Sequence, residues 1–118
     1  MLFNKREQDL YERILREKIS AVNLKRWPFN YDCGNWGKHK PDKKGRQYFI
    51  HLNKTRGVEC MKVTLFHELV HIHDDLEGTE RSDVDTEDRA LAFCNKNKEF
   101  VDYVWRKYIL NSPPAYYN

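Results

Sequence analysis

Cysteine is scarce in this chain, long apolar runs are missing, and nothing in it repeats. Cys33, Cys60 and Cys94 form an odd, widely spaced set with no Cys-x-x-Cys pair. That argues against both a disulfide framework and a zinc ribbon, and it leaves the thiols as small buried groups. No apolar stretch approaches the ~20 residues that a membrane-spanning helix needs. The N-terminus, Met1-Leu2-Phe3-Asn4-Lys5-Arg6-Glu7, turns charged at once and lacks the apolar stretch of a signal peptide. The expected location is therefore the cytoplasm, with no membrane contact. Neither an internal repeat nor a low-complexity segment is visible.

What is present suits a small folded protein. The 118 residues are 40% hydrophobic and 33% charged, enough for one modest core and so for a single domain spanning residues 1–118. Aromatic residues make up 14%, so large rings must build part of that core. Charge is unevenly spread. Residues 1–66 carry 15 Lys/Arg against 7 Asp/Glu, whereas residues 67–118 carry 6 against 11. The basic half offers a surface for nucleic acid or an acidic protein segment. The acidic half supplies carboxylates of the kind a divalent cation requires.

Periodicity predicts the elements. Leu10, Tyr11, Ile14, Leu15, Ile19 and Val22 fall on one stripe of an amphipathic helix over residues 5–24, and Trp27-Pro28 closes it. Phe29, Tyr31 and Cys33 alternate as a short strand. Residues 34–45, with three glycines and Pro41, read as loop. Arg46–Asn53 reads as a second strand, with Tyr48, Ile50 and Leu52 on one face and Phe49, His51 and Asn53 on the other. The two strands are expected to form a long-looped hairpin. A helix from about Glu59 to Asp75 carries Met61, Leu65, Leu69 and Ile72, and Asp74, Asp75 and Gly78 mark its end. Ser82 suits the cap of a third helix whose inward face would be Glu87, Ala90, Leu91 and Cys94. Asn95-Lys96-Asn97-Lys98 is expected to kink or break it before a last stripe of Phe100, Val101, Val104, Trp105 and Tyr108. The order of helix, strands and helices predicts a small α+β domain.

One motif carries chemistry: His67-Glu68-Leu69-Val70-His71. On a helix, positions i and i+4 share a face, so two imidazoles there can grip one ion. The residue after the first histidine projects beside that face, where its carboxylate can take a proton from a water activated by Zn²⁺ without itself being a ligand. Catalytic zinc typically has three protein ligands, so one more is required. His73 follows His71 by two residues and points away, and Asp75 lies where the helix ends. Glu87 is preferred because it shares the inward stripe with Ala90, and a carboxylate there wants a partner. Asp83, one turn earlier, is the alternative, as a ligand or as an outer partner. A donor for the oxyanion is also expected. His39, His51, His73 and several tyrosines and arginines compete for that role, with His51 read as an ordinary strand residue and Trp36 as a packing anchor.

The segment Arg46–Asn95 resembles the ImmA/IrrE family of small metallopeptidases. The resemblance rests on Gln47-Tyr48-Phe49-Ile50-His51-Leu52-Asn53, on Thr64-Leu65-Phe66-His67-Glu68-Leu69-Val70-His71 and on Glu87-Asp88-Arg89-Ala90-Leu91-Ala92-Phe93. It implies a minimal zincin-like fold, in which a small sheet packs against the His-Glu helix and a following Glu-bearing helix. It also implies zinc on His67, His71 and Glu87, with Glu68 as general base. Members often cut repressor-type regulators, which implies a protein or peptide substrate. Cys94 stands where that family usually has Ala, and the Leu-Met-Pro ending common there is missing.

Ile50-His51-Leu52-Asn53 followed by Leu65–His71 is also similar to SprT-like proteases, which act on proteins attached to DNA. That group usually takes its third ligand from a later histidine, and none follows His73 here. A third expectation is a non-catalytic regulator that keeps zinc for structure, with His73 or Asp83 completing a closed shell of four protein ligands.

Overall fold

The structure, a computed structural model, describes residues 2–25, 37–41, 47–79 and 81–110. These form an α+β arrangement of four helices and a three-stranded sheet. In chain order the elements are α1 (Leu2–Lys18), β1 (Ile19–Lys25), β2 (Gly37–Pro41), β3 (Tyr48–Asn53), α2 (Val58–Glu77), α3 (Asp83–Lys96) and α4 (Lys98–Val104). A 3₁₀ turn, Lys54–Arg56, links β3 to α2, and α4 runs on as a π-helical stretch, Trp105–Leu110. No helix among the described residues is long and apolar enough to cross a membrane.

The sheet order is β1-β3-β2, with β1 parallel and β2 antiparallel to β3. Tyr48, Ile50 and Leu52 are buried, as their alternation predicts, and this face packs on α2. Within the strand expected over residues 46–53, Tyr48–Asn53 forms the centre of the sheet, paired on both sides. The strand expected at residues 29–33 lies outside the described residues, as do Trp36 and Cys33. Within the stretch read as loop, Gly37–Pro41 is a strand. It has no apolar alternation of its own and owes its extended form to its ladder with β3. Pro41 is tolerated there because an edge strand can spare an N–H.

The first helix is shorter than its periodicity predicts. It ends at Lys18, and β1 begins at Ile19 with no intervening residue. The cause of the misreading is visible in the register. Ile19 lies opposite Tyr48 and Val22 opposite Ile50, with an irregularity between Ile19 and Ala21 that leaves Ser20 as an extra residue. The bulge lets two residues three apart face the same way on a strand, which mimics helical spacing. Both are buried.

Helix α2 is bounded by glycines that have a conformational reason to be there. Gly57 (φ 88°) precedes it, and Gly78 (φ 73°, left-handed) ends it, donating its N–H to Asp75 while Thr79 N–H reaches the Asp74 carbonyl. A left-handed residue closing a helix in this way is the usual role of glycine. Met61, Leu65, Leu69 and Ile72 are buried as expected, and Phe66 and Val70 join them. Phe66 and Phe93 stack at 5.2 Å between centroids, and Tyr11 meets both edge-to-face at 5.7 and 4.9 Å, which pins α1, α2 and α3 together. Such pairs contribute about 0.5–1.5 kcal/mol each beyond their burial.

Ser82 caps α3 as predicted, accepting the Asp85 N–H at 3.1 Å. The buried face of α3 is rotated from the expected one. Thr86, Ala90, Phe93 and Cys94 are buried, whereas Leu91 is 41% exposed. The large Phe93 ring claims the core and turns Leu91 outward. Ala90 is fully buried where α3 crosses α2. The break near Asn97 is real: α3 stops at Lys96, and the buried Asn97 donates to the Phe93 carbonyl and accepts from Gln8 of α1.

Candidate metal centre

Helix α2 buries Leu65, Leu69 and Ile72 against the core and so holds His67 and His71, one turn apart, on a half-buried flank. Their Nε2 atoms are 3.1 Å apart. Two imidazole nitrogens have little reason to meet this closely in the absence of a shared proton or a shared cation. Asp83, the first residue of α3, brings Oδ1 to 3.0 Å from His71 Nε2. Donor atoms of His67, His71 and Asp83 all lie within 4.8 Å of one another. Tetrahedral zinc with bonds of about 2.0–2.1 Å sets its ligand atoms roughly 3.3 Å apart, so the spacing suits one such ion.

Glu87, preferred from sequence as the third ligand, occupies a different place. It sits at the margin of the buried face, and its Oε1 lies 3.2 Å from Nδ1 of His67, the nitrogen facing away from the donor cluster. An N–H on that nitrogen donating to Glu87 leaves the Nε2 lone pair free to point toward His71 and Asp83. Carboxylates commonly hold metal-binding imidazoles in this way. The structure therefore brings both acidic candidates to the histidines but on opposite nitrogens, with Asp83 among the donor atoms.

Glu68 is 5% exposed. A carboxylate in that position needs a partner, and His39 of β2 provides one, its Nδ1 lying 2.7 Å from Glu68 Oε1. His39 pairs with Ile50 across the antiparallel ladder, and so shares the face of β3 that packs on α2. Its ring also stacks on that of His71, 5.8 Å between centroids and tilted by 29°. Of His39, His51 and His73, the histidines weighed as oxyanion donors, His39 alone reaches the site. His51 sits on the other face of the sheet beside Asn23 of β1. His73 lies on the far flank of α2, in a groove with Leu10, Ile14 and Leu76.

Two outer contacts position these groups. Tyr48 donates its hydroxyl to Asp75, tying the central strand to the last turns of α2. Burial, followed by the hydrogen bond to Asp75 and the Asp75 charge, pushes the Tyr48 phenol up to about 12. The buried Asp74 is gripped by Arg81 from both sides of its guanidinium edge, at 2.8 and 3.2 Å. This pair closes the turn between α2 and α3, two residues before Asp83. Sequence reasoning missed it because Asp74 reads as a helix terminator. Its one signal was a carboxylate seven residues before a lone arginine in an acidic stretch.

No protein-family model, no curated protein and no solved structure matches the chain.

Proposed function

We propose that the chain is a zinc-dependent endopeptidase of minimal zincin type that hydrolyses a peptide bond in a protein or peptide substrate. The observation that carries this reading is the convergence of His67 Nε2, His71 Nε2 and Asp83 Oδ1, with the buried carboxylate of Glu68 linked to His71 through His39. The donor set fits zinc: two imidazoles and one carboxylate leave a fourth position open. His67 and His71 would hold the ion together with a carboxylate from the start of α3, and Glu87 would orient His67. Zinc held there supplies a Lewis acid that polarises a carbonyl and lowers the pKa of a water to about 7.

The remaining work falls to the protein. Glu68 accepts the proton as the water oxygen bonds to the carbonyl carbon, and returns it to the amide nitrogen as the C–N bond breaks. The arrangement of a sheet, an adjoining His-Glu helix and a carboxylate-bearing helix supports the zincin reading. β2, the sheet edge nearest the site, offers a ladder for an extended substrate segment.

Glu68→Gln provides the test. The zinc-loaded wild-type protein should cleave members of a mixed peptide pool followed by mass spectrometry. The variant should keep one zinc per chain and lose about 10²-fold or more of the rate, the typical contribution of a positioned acid–base group. Failure of the wild type to bind zinc or to cleave any peptide would remove the peptidase reading, whereas equal cleavage by both proteins would remove Glu68 as the base. Zinc binding without cleavage would favour a structural metal in a regulator.

A further inference from the structure

We propose that His39 is a positioning residue for Glu68, donating its Nδ1–H to Oε1 and so fixing the carboxylate for proton transfer. The inference rests on the reading of Glu68 as general base. A free carboxylate rotates about its terminal bond and presents either oxygen in several directions. Here Oε1 is committed to His39 at 2.7 Å, a short charge-assisted contact, which leaves Oε2 as the oxygen that handles the proton.

The ring of His39 is itself constrained. Its backbone is held in the ladder opposite Ile50, and its face lies against His71 at 5.8 Å. The ring of Tyr48, anchored to Asp75, lies 6.0 Å from it. His39 thus links an edge strand to the base and to one metal-binding imidazole. Movement of β2 would be felt at Glu68 directly. When Nδ1 carries the proton of a neutral ring, Nε2 is a bare acceptor. In this geometry the contact His39 makes is with Oε1 of Glu68, through which its contribution runs.

The test uses the chemical difference between the two ring nitrogens. Asn places its amide N–H near the position of Nδ1, whereas Gln extends toward that of Nε2. In the zinc-loaded full chain, His39→Ala should lower kcat about 10–100-fold, the range typical of groups that orient a functional side chain, with KM and zinc content little changed. His39→Asn should recover most of the rate, and His39→Gln should not. Full activity in His39→Ala, equal losses in the Ala and Asn variants, or a change in melting temperature and zinc content alone would each overturn the proposal. Glu68→Gln in the same assay separates the two ideas. If it retains activity the base assignment falls, whereas a dead Glu68→Gln beside an active His39→Ala removes only the role of His39. Long-range ¹H–¹⁵N spectra of the imidazoles give a reading that needs no turnover. The His39 Nδ1–H should be present and should shift in Glu68→Ala, and a ring protonated at Nε2 alone overturns the assignment.

Discussion

Asp83 and Glu87 stand one turn apart on the same helix, yet they face different nitrogens of the histidine pair. Asp83 is 86% exposed on its side chain, so packing does not hold it in the cluster. On the proposed reading Asp83 would coordinate zinc and Glu87 would orient His67, and the two losses should differ in size. Asp83→Ala is expected to weaken zinc affinity by more than about 100-fold, and Glu87→Ala by about 10–100-fold. Competition with a chromophoric chelator measures both, and the opposite order would move Glu87 into the coordination sphere. The histidine pair and Glu68 were legible in sequence because helical spacing alone dictates their relation. The choice between the acids was not, since Glu87 was preferred on an inward stripe with Leu91, and Leu91 faces out. His39 was legible only as one histidine among several, because nothing in Lys38-His39-Lys40-Pro41 announces a strand.

At the level of elements, α2 and α3 read well because each carries its own boundary signals: Gly78 and Ser82 end and start them where the residues say. The junction of α1 and β1 read badly. A bulge at Ser20 imitates helical spacing, and only the partner strand reveals it. The Ser82 cap also bears on the site, since the next residue is Asp83. Ser82→Ala leaves the Asp85 N–H without its partner and should lower stability by about 1 kcal/mol. It should also weaken zinc binding by loosening the turn that presents Asp83. Denaturant melts of the metal-free protein read the first effect and chelator competition the second. A stability loss with unchanged affinity would mean that the Arg81–Asp74 pair holds the turn unaided.

Across the whole molecule, the two ends of the described chain are fastened at Glu12. This α1 carboxylate accepts from Tyr103 at 2.6 Å, from Tyr108 at 2.9 Å and from Lys107 at 3.3 Å. Partial burial opposes its ionisation, but the three hydrogen bonds outweigh it and hold its pKa below the ordinary glutamate value. The sign of the pH effect follows. Because the folded pKa is depressed, the stabilisation is full above the unfolded value of about 4.3 and is lost as pH falls through the lower folded one. Glu12→Gln should therefore lower the melting temperature by several degrees at pH 7, corresponding to ~1–2 kcal/mol. The gap between variant and wild type should narrow steadily below pH 4. A gap independent of pH would assign the effect to packing of the tyrosines.

The parts of the site differ in how far along the chain they must travel to meet. His67, His71, Asp83 and Glu87 sit on two consecutive helices joined by a short turn, and each of their contacts is closed by local hairpin formation. His39 arrives from a strand that joins only when the sheet has zipped onto β3. The cluster of histidines and carboxylates can thus be complete while the partner of Glu68 is still absent. On the proposed reading, a chain whose sheet is unfinished would take up zinc before its base is positioned, so metal uptake would precede hydrolysis.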